Sequence, residues 1–123
     1  MTRHLLTTND YPPKIGGIQQ YLWELWRRLD PATFKVLTTP YRGARDFDAA
    51  QNHVIERSRE PFLLPYPWLA SRLDAAASDF GAELHVLDPA VPLGIVGPAL
   101  HRPYAVVLHG AEVTIPGRLP GSR

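Results

Sequence analysis

Hydrophobic positions along the chain follow two alternating periods. Short apolar runs at residues 3–8, 34–38, 53–57, 83–87 and 104–108 have the length and turn-bounded setting of buried strands. Between the first two, Ile18, Tyr21, Leu22, Leu25, Trp26 and Leu29 recur at helical spacing and predict a helix over residues 18–29. A second helix is predicted over residues 67–80, closed by Gly81 at its C-terminal cap, and a short helix-like stretch over residues 92–100. Strands that are apolar almost throughout, alternating with helices, imply an α/β fold: a Rossmann-like parallel sheet with helices on both faces. In such sheets ligands collect at the C-terminal ends of the strands.

On the first helix the apolar stripe holds Ile18, Leu22, Leu25 and Leu29, which places Trp23 on the other face with Gln19 and Arg27. An exposed tryptophan there would mark an interface or sugar contact, or else pack beneath a loop.

Composition narrows the class. With 123 residues the chain is one domain, large enough for a real core. Its net charge of +1 argues against strong attraction to nucleic acid. The cations are mostly arginine, only Lys14 and Lys35 being lysines, a bias suited to bidentate phosphate or carboxylate contacts. The absence of cysteine excludes disulfides, thiolate metal sites and a cysteine nucleophile. Met1-Thr2-Arg3-His4 leads into a strand rather than a signal sequence, and no apolar run is long enough to span a bilayer, so a cytoplasmic location is expected. His4, His53, His85 and His101 show no helical pairing and no clustering with carboxylates, so no metal site is expected. No serine sits in a nucleophile elbow.

Candidate chemistry concentrates between the first strand and the first helix, in Asn9-Asp10-Tyr11-Pro12-Pro13-Lys14-Ile15-Gly16-Gly17-Ile18. A strand, a glycine turn and a helix N-terminus form an anion cradle, because unpaired backbone N–H groups and the positive end of the helix dipole both favour a phosphate. The same pattern is also compatible with a plain tight turn. Neither a dinucleotide fingerprint nor a Walker loop is present. Asn9 and Asp10 either bond the backbone of the following turn or face a ligand. Near the other end, His109-Gly110-Ala111-Glu112 follows the last predicted strand; there His109 either caps the strand end or meets a sugar hydroxyl. A third segment, residues 57–69, sets Arg57 and Arg59 beside Phe62, Leu63, Leu64, Tyr66 and Trp68. Cations next to aromatics suit a membrane surface, whereas Pro61, Pro65 and Pro67 break the run and suit a buried loop packed on the second helix.

The stretch from Leu6 to Gln19, and Val106-Val107-Leu108-His109-Gly110-Ala111-Glu112-Val113 after it, resemble the two N-terminal motifs of the family-4 retaining glycosyltransferases. The likeness is nearest to the actinobacterial mannosyltransferases that act on phosphatidylinositol mannosides. It implies that residues 1–123 are the N-terminal, acceptor-side Rossmann-like half of a two-domain GT-B architecture, with the C-terminal nucleotide-sugar-binding domain absent from this chain. By that resemblance Gly16 and Gly17 hold the donor diphosphate, His109 is catalytic against the donor sugar, and Asp10, Tyr11 and Gln19 meet the acceptor. It also implies a nucleotide-sugar donor such as GDP-mannose, a lipid acceptor of the phosphatidylinositol type, and no metal cofactor. Arg57, Arg59, Phe62, Leu63, Leu64 and Trp68 would approach the inner face of the plasma membrane. Two rivals remain at this stage: a non-catalytic Rossmann-like module that docks to a partner, and an unrelated doubly wound nucleotide-binding protein.

Overall fold

Leu5, Leu6, Thr7 and Thr8 are completely buried, and the strand they form is the centre of the molecule. A computed structural model describes residues 2–108. In chain order these form β1 (His4–Thr8), α1 (Gly17–Trp26), β2 (Phe34–Thr38), α2 (Ala44–Ala49), β3 (Val54–Arg57), α3 (Leu69–Phe80), β4 (Leu84–Asp88), α4 (Ala90–Leu93) and β5 (Tyr104–Val106). Short 310 turns lie at Pro31–Thr33 and Gly94–Ala99. Every strand pairing is parallel, in the order β3-β2-β1-β4-β5, so the predicted α/β, Rossmann-like sheet is present.

Connection handedness decides which face each helix covers. The chain moves from β1 outward to β3 through α1 and α2, then crosses back and moves outward to β5 through α3 and α4. Right-handed crossovers taken in opposite directions lay their helices on opposite faces. Accordingly Leu6, Phe34 and Val36 pack with Trp23, Trp26 and Phe47, whereas Leu5, Leu37 and Leu87 pack with Leu69, Leu73 and Ala77.

Element boundaries differ from expectation where local chemistry intervenes. The first helix stops at Trp26 instead of residue 29, because Arg28 and Leu29 bond back only three residues and Asp30 then caps the next turn ahead of Pro31. The second predicted helix begins at Leu69, and Gly81 closes it in the left-handed conformation at φ 77°. Helix α2 was not anticipated: six residues with Phe47 as their one large apolar side chain carry too little periodicity.

The buried face of α1 is also rotated from the leucine stripe. Leu22 is buried, but Trp23 and Trp26 are the other side chains that pack on the sheet. Trp23 lies against Phe47 and donates its indole N–H to Gln51 Oε1 at 3.0 Å, and Trp26 donates to His4 Nε2 at 2.9 Å. Two large rings with satisfied N–H groups cover more apolar area than a row of leucines. Trp23 therefore packs inward, and Ile18, Tyr21, Leu25 and Leu29 are left exposed.

Arg57, at the end of β3, knits the sheet edge together. Its guanidinium donates twice to Asp48 of α2 (2.7 and 3.1 Å), to Thr39 O (3.0 Å) and to Pro12 O (2.8 Å). Arg57→Ala is expected to lower stability by about 2–4 kcal/mol, since it strands a carboxylate and two carbonyls. Urea denaturation checks this, and Arg57→Lys should recover only part of the loss because ammonium lacks the planar fork.

His4, His53 and His85 are each held below the usual histidine value of 6.5, primarily by burial; Asp48 partly offsets this for His53, and Asp74 for His85. A depressed histidine keeps its proton off in the folded state while the unfolded chain accepts one. Stability is therefore full above 6.5 and erodes as the pH falls below that value. The urea midpoint is expected to be lower at about pH 5.5 than at about pH 7.5, and the difference should shrink in a His85→Gln variant.

Candidate functional site

Parallel pairing brings all five strand ends to one edge, and β1 ends there beside β4. The loop that follows is tied down at once. Thr8 Oγ1 donates to Asp88 and accepts from Asp10 N at 2.8 Å, and Asn9 N donates to Asp88 O at 3.3 Å. The Asn9 side chain does not bond its own turn. It reaches Leu63, accepting from its N–H at 2.7 Å and donating to its carbonyl at 2.9 Å, so an amide side chain substitutes for one rung of a ladder.

From this anchored end the chain runs over the edge to α1. Gln19 Nε2 donates to Asp10 Oδ1 at 3.3 Å, so these two expected acceptor residues stand together. The same Gln19 amide lies close over Gly16, so a Cβ there would oblige this flexible side chain to shift. Gly17 is different: a Cβ there would meet nothing within 4 Å. No side chain caps the first turn of α1, and no acidic residue lies in it. A helix start that no side chain caps can accept an anion at its leading N–H groups.

Lys14, which was not singled out from the sequence, sits at the same edge. Its ammonium donates to Asn9 O at 3.0 Å and stands 5.2 Å above the Phe62 ring. A lone lysine between two prolines and a glycine pair carries no periodic signal, so only the fold reveals it.

Tyr11 is not at the surface. It is 1% exposed, its hydroxyl pairs with His53 Nε2 at 2.9 Å, and its ring meets Phe47 edge-on; burial raises its pKa far above the usual phenol value. The expected acceptor-lining role gives way to a core role, because an aromatic just past a buried strand fills the space between β1 and α2.

The aromatic segment after β3 divides in the same way. Arg57 is engaged as described above, and Leu63 is fully buried, so neither is available to a membrane. Arg59, Phe62, Leu64 and Trp68 are exposed, with Tyr66 stacked on Trp68 at 4.8 Å between ring centroids. Leu63 thus plugs the segment into the core while its neighbours point outward. His109 and Glu112 lie outside the described residues, although the strand that leads to them ends at the same edge as β1 and β4.

Among the described residues no group of three or more His, Asp or Glu side chains gathers in a metal-binding arrangement, and no helix is long and apolar enough to cross a membrane.

Comparison with known proteins brings out a coherent set of relatives. The chain is 33% identical over 120 residues to a GDP-mannose-dependent alpha-(1-6)-phosphatidylinositol monomannoside mannosyltransferase of Mycolicibacterium smegmatis, covering 89% of this chain and 31% of that protein. A Mycobacterium tuberculosis (strain H37Rv) protein of the same description is 33% identical over 104 residues, covering 80% of this chain and 27% of the relative. A GDP-mannose-dependent monoacylated alpha-(1-6)-phosphatidylinositol monomannoside mannosyltransferase of Corynebacterium glutamicum is 30% identical over 125 residues, covering 97% and 32%. No family model matches the chain. The chain spans about a third of the length of the curated relatives it matches. Sequence and fold agree: over most of its length this chain is a homologue of the actinobacterial phosphatidylinositol mannoside mannosyltransferases, and its Rossmann-like sheet is consistent with a fragment of a GT-B glycosyltransferase.

Proposed function

We propose that the protein provides the acceptor-side half of a retaining, GT-B-type mannosyltransferase that moves mannose from GDP-mannose to a phosphatidylinositol-type lipid. The observation that carries this reading is the uncapped start of α1, with Gly17 open to an approaching ligand, at the edge where β1 and β4 end. The relatives' donor and acceptor supply the chemistry. In the reaction the bond between the sugar's anomeric carbon and the diphosphate oxygen breaks. A bond to an acceptor hydroxyl oxygen forms, and that hydroxyl's proton leaves.

Negative charge grows on the departing diphosphate. Backbone N–H groups at Gly16 and Gly17 would meet it already oriented, which lowers the barrier without reorganisation. Asp10 and Gln19, held together beside this loop, would meet the acceptor head group, and His109 the donor sugar. The helix end would supply part of the charge that a metal supplies elsewhere, and a cationic surface facing this edge the rest, so no metal is required. Arg59, Phe62, Leu64 and Trp68 would rest on the membrane that holds the acceptor.

Titrating the isotopically labelled 123-residue protein with GDP is expected to shift the amide resonances of residues 16–19, saturating at about millimolar ligand. Gly17→Ala should keep the fold, since its Cβ meets nothing, yet weaken that response several-fold. Unmoved resonances at residues 16–19, or an unchanged response in the variant, would remove the diphosphate assignment. The isolated chain is expected to transfer no mannose from radiolabelled GDP-mannose to phosphatidylinositol.

Flotation with vesicles containing anionic lipid is expected to recover the protein, and Phe62→Asp with Trp68→Asp to abolish recovery. Equal recovery with and without vesicles would discard the membrane contact.

A further inference from the structure

Two charged side chains lie between Asn9 and Ile18, Asp10 and Lys14, and only Asp10 has a place in the transfer described above. The Lys14 ammonium carries three donors. One goes to Asn9 O at 3.0 Å, and the cation stands 5.2 Å from the centre of the Phe62 ring. Both contacts are to neutral groups. Lys35 differs, being paired with Glu56 at 2.7 Å, and Arg57 and Arg72 are likewise paired with carboxylates. A carbonyl and a ring orient an ammonium without neutralising it, and an ionised oxygen makes the stronger bond.

Different chemistry stands on either side of this cation. Asn9, whose carbonyl holds the ammonium, is one peptide bond from Asp10, and Asp10 is bonded to Gln19. The Asn9 side chain also grips Leu63, the neighbour of Phe62. Beyond Phe62, the Tyr66 hydroxyl donates to its carbonyl at 3.4 Å, and the Tyr66 ring stacks on Trp68. The contacts therefore run in order from a carboxylate–amide pair, through a cation, to an aromatic row in which Phe62 and Trp68 are exposed. A carboxylate and an amide suit the hydroxyls of a polyol, an ammonium suits a phosphate oxygen, and aromatic rings suit the hydrocarbon boundary. Polyol, phosphodiester and hydrocarbon is also the covalent order of a polyol phospholipid.

We infer that Lys14 binds the phosphodiester of the lipid acceptor, between the polyol held at Asp10 and Gln19 and the acyl chains at the aromatic segment. This inference rests on the acceptor reading of Asp10 and Gln19 above and adds to it the residue that recognises the lipid's phosphate. Lys14 thereby makes the site prefer a phosphorylated head group to the bare polyol. The donor diphosphate stays at the start of α1, because both contacts of Lys14 fix its ammonium toward the aromatic segment.

The test titrates the isotopically labelled 123-residue protein separately with glycerophosphoinositol (the deacylated head group), myo-inositol, inorganic phosphate and GDP. Glycerophosphoinositol is expected to shift the amides of residues 10 and 19 and the side-chain resonances of Lys14. It should bind at least about fivefold more tightly than myo-inositol or inorganic phosphate. Lys14→Gln should weaken glycerophosphoinositol about tenfold and leave the myo-inositol and GDP responses unchanged, while Lys14→Arg keeps most of the affinity. The Lys14 resonances of the unaltered protein carry the test even where a variant fails to fold. If neither glycerophosphoinositol nor myo-inositol moves residues 10 and 19, the acceptor reading fails and takes the inference with it. If both move them equally, in the unaltered protein and in Lys14→Gln, that reading stands and the inference is overturned. Inorganic phosphate binding as tightly as glycerophosphoinositol overturns it too, and so does a GDP response lost in Lys14→Gln, which would give the lysine to the donor. Lys14 resonances that respond to Glu112→Gln but not to glycerophosphoinositol would make that carboxylate the ammonium's partner, and overturn it likewise.

Discussion

The end of β1 is the constraint on which the rest of the edge depends. This strand has neighbours on both sides and helices on both faces, so its register cannot slip by one residue without turning Leu6 and Leu5 to the wrong layers. Its last residue and the one that follows it then hold three separate pieces of chain. Thr8 binds Asp88 and the start of the glycine loop, and Asn9 binds Leu63 from 54 residues away. The loop that could receive a phosphate, the end of β4 and the aromatic segment are thereby placed around a single point.

Long-range tethers account for what was and was not legible in the sequence. Strand positions and the α/β class could be read directly, since an apolar run bounded by turns needs no information from elsewhere. The glycine loop and the cap at Gly81 were legible for the same reason: each depends on neighbours within a few residues. Arg57 was not, because its partners Asp48, Thr39 and Pro12 lie 9, 18 and 45 residues away. An arginine beside aromatics looks the same in sequence whether it greets lipid or closes a sheet edge. Tyr11 and Leu63 illustrate the same limit, each lying in a polar or proline-broken stretch yet inserted into the core.

The helix α1 was misread for a different reason. Counting apolar residues weights leucine and tryptophan equally, whereas the sheet takes the side chains with the most area and a satisfied polar tip. Trp23 finds Gln51 on one neighbour and Trp26 finds His4 on another, and those two contacts set the rotation of the helix. The exposed row of Ile18, Tyr21, Leu25 and Leu29 is the consequence. A stripe that looked like the core of this helix is instead its outer flank.

Magnitudes show what the glycine loop can contribute on its own. A helix N-terminus favours an anion by about 0.3–1 kcal/mol, rising to about 2 where partly buried. Two backbone N–H groups bonded to a charged oxygen add about 1.5 kcal/mol each. Together these approach the roughly 4 kcal/mol of a millimolar complex, and fall about 4 short of a micromolar one. The nearby cations close little of that gap: Lys14 is bonded to the Asn9 carbonyl and Arg57 to Asp48. Tight hold on a diphosphate therefore demands further positive charge from a surface facing this edge. That requirement follows from the energetics of one helix end, and it makes a cleft between two bodies the natural setting for the chemistry proposed here.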